Sequence, residues 1–287
     1  MKFDTPLRYP GDKARLADFF KMVFRHNALL DGHYVEPYAG GAGIALNLLT
    51  QGYVSCIHLN DLSPAVFAFW HSVINQPEEL CRAIHDVKIT KEEWLKQEAI
   101  LNTPADHSLL EVGFSNFFLN RTNRPGVLWK NAFREIKQNE LWAVDPRFNK
   151  NELIRRIEWI AMFRPRIRLY NLDAEEFIKS VLPTLPSKTL VYLDPPYYVK
   201  GWWPYEGDYS HDDHANIAKL VKEQIDQYWM VSYDNVPEAI EMYKGYPSIV
   251  YDMKQRARDS YIGTEVMFFS NRLIIPDVDN PVDLKAA

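Results

Sequence analysis

The apolar run Thr189-Leu190-Val191-Tyr192-Leu193 breaks off into Asp194-Pro195-Pro196-Tyr197-Tyr198. A short, bounded apolar run is the pattern of a buried strand. The two prolines lack an N–H and have a fixed φ, so neither a ladder nor a helix can continue past them. The chain must therefore leave its sheet there, with Asp194 at the strand's carboxyl end. In open α/β sheets that edge borders the ligand crevice. The Asp194 carboxylate and the Pro195 carbonyl are then two acceptors beside the aromatic face of Tyr197. Such a set suits a planar ring with an exocyclic amine: the acceptors take the amine's two hydrogens and the tyrosine stacks on the ring. The plainer alternative is a polar-capped strand end with surface tyrosines.

A second constraint lies upstream. The short strand His33 to Tyr38 runs into Ala39-Gly40-Gly41-Ala42-Gly43, and an apolar helix follows from Ile44 to Leu49. Strand, glycine-rich turn and helix open a nucleotide-binding βαβ unit. No Gly-Lys-Ser/Thr follows, which excludes a P-loop. The next strand, Val54 to Leu59, ends in Asn60-Asp61. Asp61 stands roughly twenty residues past the glycines, where a ribose-binding acid belongs. That acid serves NAD and S-adenosylmethionine (AdoMet) alike. Leu46 replaces the third glycine of the dinucleotide fingerprint, and Glu36-Pro37 precede the loop. An acid there suits a cationic ligand and would repel a pyrophosphate. AdoMet is thus favoured, with an NAD-dependent oxidoreductase as the alternative. A strand from Arg166 to Asn171 ends in Leu172-Asp173, a further strand-end acid suited to an adenine amine.

Between these sheet segments the pattern is helical: 65–74, 78–86, 91–101 and 107–119, with a break expected at Asn120-Arg121-Thr122-Asn123-Arg124-Pro125-Gly126. From Arg121 to Arg168 there are twelve Lys/Arg against five Asp/Glu, a net of +7 in a chain whose total is −5. A basic segment inside an acidic protein is the footprint of a nucleic-acid contact. The turn-rich part, Arg121 to Arg134, carries that expectation, whereas Lys150 to Arg156 reads as a solvated helix face. After Asp194 comes an aromatic, glycine-rich stretch, Tyr197 to Tyr209, that could fold over a flipped base. His211-Asp212-Asp213-His214 reads as a helix start rather than a metal site. The last strands, 228–234, 248–252 and 265–269, flank a basic loop carrying Lys254, Arg256 and Arg258.

At 287 residues, the chain can bury a large core without disulfides. Cys56 and Cys81 fit a reducing compartment and have no metal-site spacing in sequence. Met1 to Pro6 lacks the apolar stretch of a signal peptide, and no apolar run is long enough to span a bilayer. A cytoplasmic protein with no membrane partner and no metal is therefore expected.

Taken in order, these pieces resemble the Dam-type (alpha-class) DNA adenine-N6 methyltransferases over most of the chain. Arg8-Tyr9-Pro10-Gly11-Asp12-Lys13 looks like the family's amino-terminal motif, and Glu36 to Gly43 like its AdoMet loop. Asn60-Asp61-Leu62-Ser63-Pro64 carries the ribose acid, Asn120-Arg121-Thr122 opens the DNA-reading segment, and Asp194-Pro195-Pro196-Tyr197 matches the catalytic motif. Asp12 departs from the usual glycine and Tyr38 from the commoner phenylalanine. Beyond Asn120-Arg121 the match fades, so no GATC target is implied.

The resemblance implies an α/β, Rossmann-like AdoMet-dependent methyltransferase fold. Residues 1–70 and 169–287 would form the catalytic domain, and 71–168 an inserted, mostly helical target-recognition subdomain. It implies transfer of the AdoMet methyl to a flipped adenine in double-stranded DNA. The catalytic residues would be Asp194, Pro195, Pro196 and Tyr197. Cofactor contacts would come from Tyr9, Lys13, Glu36, Pro37, Tyr38, Gly40, Gly41, Gly43, Asp61, Asp173 and Asp194, with Lys13 on the methionine carboxylate. DNA contacts would come from Arg8, Asn120, Arg121, Asn123, Arg124, Lys130 and Arg134. A monomer in solution and a cognate restriction endonuclease are further expectations. RNA adenine, DNA cytosine N4, or a non-catalytic DNA-binding role are the alternatives.

Overall fold

Side chains alternate along each strand and sort the sheet into two apolar faces. The strands are β1 (Gly32–Glu36), β2 (Val54–Asn60), β3 (Ile167–Tyr170), β4 (Thr189–Leu193), β5 (Tyr228–Asp234), β6 (Ser248–Arg256) and β7 (Ser260–Phe269). Tyr34, Ile57, Leu190, Tyr192, Met230 and Met267 are buried on one face. Val35, Val191, Leu193, Val231, Val266 and Phe268 are buried on the other. This computed structural model describes residues 5–8, 13–123, 148–198, 209–256 and 260–284. Tyr9, Arg124, Lys130, Arg134, the aromatic stretch from Gly201 to Gly207, and the side chains of Lys254, Arg256 and Arg258 lie outside the described residues.

The strand order among the described residues is β3-β2-β1-β4-β5-β7-β6. Pairings from β3 through β5 are parallel, and β7 runs antiparallel to β5 and β6. The order reverses between β1 and β4, which makes their carboxyl ends the topological switch point. Helices α1 (Ala17–His26) and α2 (Gly43–Thr50) cover the first face through Phe19, Phe20, Phe24 and Leu48. Helices α8 (Ala174–Ser180), α9 (His211–Gln224) and α10 (Pro237–Met242) cover the second through Phe177, Ile217, Val221 and Ala239. Ser210 caps α9 in a reciprocal box with Asp213, so the His-Asp-Asp-His run starts a helix as its sequence predicts.

Among the described residues, five more α-helices lie between β2 and β3: α3 (Pro64–Asn75), α4 (Pro77–Asp86), α5 (Lys91–Asn102), α6 (Leu109–Thr122) and α7 (Lys150–Ala161). Phe69 of α3 stacks on Phe117 of α6 at 5.6 Å, and Phe148 packs edge-on against Phe117 and Phe118. These rings belong to the same buried cluster as Tyr34 and Ile57 of the sheet. The helices of 71–168 thus share the sheet's core, and the expected boundary at residue 70 falls inside α3. Gly113 lets α6 approach α3, because a Cβ there would sit 2.5 Å from the Ala68 carbonyl oxygen. Helix α6 also runs through Thr122, past the break expected at Asn120. No described helix is long and apolar enough to cross a membrane.

Candidate active site

The loop from Glu36 to Gly43 is tied down at nearly every residue. The Ala39 N–H donates to the Asn60 carbonyl at 2.9 Å, and Asn60 Nδ2 donates to the Pro37 carbonyl at 3.0 Å. Trp70 Nε1 donates to the Gly40 carbonyl at 2.9 Å. Gly40 has φ of 45°, which glycine adopts without a Cβ penalty, and Ala42 takes the same left-handed region at 49°. Asp61 clamps the turn: Oδ2 accepts from the Gly40 N–H and Oδ1 from the Ser63 N–H, both at 2.9 Å. Burial pushes its carboxyl up to about 6 despite those two donors. Glu36 is buried as well; its Oε1 accepts from Tyr34 Oη at 3.0 Å and from the Ala45 N–H at 3.3 Å, in the first turn of α2. A carboxylate there favours the positive end of the helix dipole. Tyr38 Oη lies 2.8 Å from Tyr209 Oη. Asp173 is exposed and caps α8, its Oδ1 accepting from the Glu175 N–H at 2.8 Å.

Asp194 follows β4 directly, at the switch point. Lys13 reaches it from the turn before α1, with Nζ 3.6 Å from Asp194 Oδ1. The same buried ammonium donates to both carboxylate oxygens of Glu265, each at 2.7 Å, and lies 5.5 Å from the centre of the Tyr197 ring. Sheet alternation explains the meeting. Glu265 lies on β7 opposite Asp234 at the end of β5, and it shares a face with Met267 and Phe269. Tyr251 Oη donates to Glu265 Oε2 at 2.7 Å, and Tyr192 Oη donates to Ser232 Oγ at 2.9 Å. Burial dominates the shift of the Asp194 carboxyl to about 7; Lys13 pulls it down while Glu265 and Asp234 push it up. Burial alone would lower the Lys13 pKa, but Asp194 and Glu265 more than offset it and hold the ammonium protonated.

Lys13, Asp194 and Tyr197 are therefore brought together as the sequence suggests, and Lys13 is engaged by two protein carboxylates, Asp194 and Glu265. Three side chains expected to contact DNA have partners within the protein. Arg121 is buried and donates from Nε to the Pro6 carbonyl at 2.6 Å, with its Nη2 on the Pro6 and Thr5 carbonyls. Asn120 holds Arg8 through a reciprocal pair, Arg8 N–H to Oδ1 at 2.7 Å and Nδ2 to the Arg8 carbonyl at 2.6 Å. Buried Asn123 accepts from Trp94 Nε1 at 2.9 Å. These side chains fasten the amino-terminal segment and α5 to the end of α6. Glu265 escaped the sequence reading; its signal is one acid in β7 directly before the apolar run Val266 to Phe269, and burial there requires a cation partner.

A family model for D12 class N6 adenine-specific DNA methyltransferases matches residues 9–257. The chain belongs to that family. No curated protein sequence matches it. Among solved structures, a candidate RNA methyltransferase of Pyrococcus horikoshii is similar over 92% of this chain and 85% of its own, at 9% identity and TM-score 0.44. Precorrin-6y C5,15-methyltransferase of Geobacter metallireducens is similar over 87% and 85%, at 9% identity and TM-score 0.36. Precorrin 8W decarboxylase of Methanobacterium thermoautotrophicum is similar over 87% of each chain, at 10% identity and TM-score 0.34. The protein is an AdoMet-dependent DNA adenine methyltransferase with a Rossmann-like sheet. The donor set fits that cofactor. Glu36, Asp61, Asp194, Asp234 and Glu265 bring carboxylates to the carboxyl edge of the sheet, where Lys13 supplies an ammonium. An excess of partly desolvated carboxylate favours a cationic ligand.

Proposed function

We propose that this methyltransferase acts on an adenine turned out of duplex DNA, with Asp194 and the Pro195 carbonyl accepting the two N6 hydrogens and Tyr197 stacking on the base. What supports this is Asp194 itself, held at the switch point with Lys13 Nζ 3.6 Å away and two prolines behind it. The adenine amine is a weak nucleophile because its lone pair is delocalised into the ring. Two acceptors on its hydrogens favour the pyramidal form and aim the lone pair out of the ring plane, which is catalysis by positioning and electrostatics. When bound, AdoMet supplies a methyl group on a positively charged sulfur. The residues that would hold it are Lys13, Tyr38, Asp61, Asp194 and the backbone of Gly40, Gly41 and Gly43, with Glu36 and Pro37 fixing the loop, Asp173 beyond them, and Tyr9 added by the resemblance. Lys13, itself held by Glu265, pairs with Asp194, whose carboxyl is raised to about 7 chiefly by burial.

The helical insertion, 71–168, would carry target recognition through its basic part, with Arg8 beside the DNA. A cognate restriction endonuclease, a monomeric state and a cytoplasmic location complete the reading. Offering duplex DNA and RNA of matched sequence with labelled AdoMet tests it. Label confined to N6-methyladenine in the duplex supports the proposal; label in RNA or in cytosine overturns it.

A further inference from the structure

A second group of reactive side chains lies on the other face of the sheet, away from Asp194. The parallel register sets His33 of β1 opposite Cys56 of β2, and Val35 opposite His58. Cys56 and His58 are two residues apart, so all three side chains project to the face that buries Val35 and Phe177. One donor atom from each of His33, Cys56 and His58 lies within 4.8 Å of the other two. The imidazole nitrogens His58 Nε2 and His33 Nδ1 are 3.1 Å apart. A tetrahedral zinc ion, with bonds of about 2.0–2.3 Å to nitrogen and sulfur, needs ligand atoms roughly 3.3–3.7 Å from one another. The nitrogens already stand near that separation, and the thiol lies within 4.8 Å of one ring nitrogen of each histidine.

The outer environment is also built. The remaining ring nitrogen of His58, Nδ1, faces Tyr170 Oη at 3.1 Å, and Tyr170 is itself held edge-on by Phe177 at 5.1 Å. A hydrogen-bonded second nitrogen is what fixes ring orientation and tautomer in metal-binding histidines. Arg168, opposite His58 on the adjoining strand β3, turns Nη1 to the Pro165 and Ile167 carbonyls. His58 and Cys56 are buried while His33 is partly exposed, which leaves solvent a route to the third ligand. The donor set contains no carboxylate, which disfavours magnesium and calcium.

We infer that His33, Cys56 and His58 form a three-ligand site for one borderline-soft divalent cation of the zinc type, with water as the fourth ligand. The ion would staple β1 to β2 beneath the strand that feeds the cofactor loop. The reading sets aside the sequence-based expectation of no metal, which rested on spacing along one segment and could not see ligands from two adjacent strands.

The test is cobalt(II) titration of the tag-free full-length chain, followed by visible and near-ultraviolet absorption. A thiolate-to-cobalt charge-transfer band with the intense visible bands of four-coordinate cobalt, saturating at one equivalent and bleached by zinc, is expected. His33→Gln, at the most exposed ligand, should weaken binding at least about tenfold, and Tyr170→Phe by about tenfold. Cys56→Ser should remove the charge-transfer band, and Cys81→Ser should leave it intact. Absence of that band in the wild-type protein, or an unchanged titration in His33→Gln, would overturn the inference.

Discussion

Asp194 is placed for chemistry at the expense of stability, and Asp194→Asn should expose the trade. Its carboxyl is raised from 3.8 to about 7, chiefly by burial. At about 1.4 kcal/mol per tenfold change in proton affinity, the ionised form costs the fold up to about 4 kcal/mol. The side chain retains 31% exposure, so solvent screening reduces the figure to about 2 kcal/mol. The folded carboxyl binds its proton more tightly than the unfolded one. The wild-type protein therefore loses stability as pH rises from near 4 to about 7, and the loss is complete above that window. Asparagine has the same shape and no charge at any pH. The variant should match the wild type at about pH 4 and exceed it by about 2 kcal/mol at about pH 8, or about 3–4 °C in Tm for a chain of this size. Urea unfolding followed by far-ultraviolet circular dichroism across that pH range measures it. A variant less stable than wild type at about pH 8, or a difference that does not change with pH, refutes the reasoning.

The other predictions rest on single contacts. Glu265→Gln removes a negative charge that raises the Asp194 pKa and frees Lys13 for Asp194; the acid limb of the pH–rate profile should move to lower pH, and an unmoved limb rules the coupling out. Arg121→Ala leaves the Pro6 and Thr5 carbonyls without their buried donor and should destabilise the protein by about 3 kcal/mol in chemical denaturation. A stable Arg121→Ala protein whose only defect is weaker DNA binding would restore Arg121 as a DNA contact. Gly113→Ala drives a methyl into the Ala68 carbonyl and should cost about 1–3 kcal/mol, read as a lowered denaturation midpoint.

What could be read before folding follows the range of the interactions involved. Strands β2, β4 and β5 are bounded apolar runs, and their limits in the structure fall within a residue of those the pattern predicts. The glycine loop and the Asp-Pro-Pro-Tyr exit are local backbone constraints, with Asp61 clamping that loop and Asp194 at the switch point. The partner of Arg121 was not legible, because a charge count along the chain cannot reveal an acceptor 115 residues earlier. The partners of Asn120 and Asn123 were hidden likewise, because they lie on other elements. Glu265 sits 252 residues from Lys13, and only the antiparallel insertion of β7 beside β5 brings the two together. The histidine–cysteine cluster likewise exists only through the register of β1 on β2.

The most direct test of the central claim is methyl transfer by the wild-type protein and by Asp194→Ala. Both would be incubated with labelled AdoMet and mixed-sequence duplex DNA, and the DNA digested to nucleosides and separated. Label in N6-methyladenine is expected with the wild type and none with the variant, while the variant still unfolds cooperatively. Label in N4-methylcytosine, or undiminished N6-methyladenine from Asp194→Ala, would contradict it.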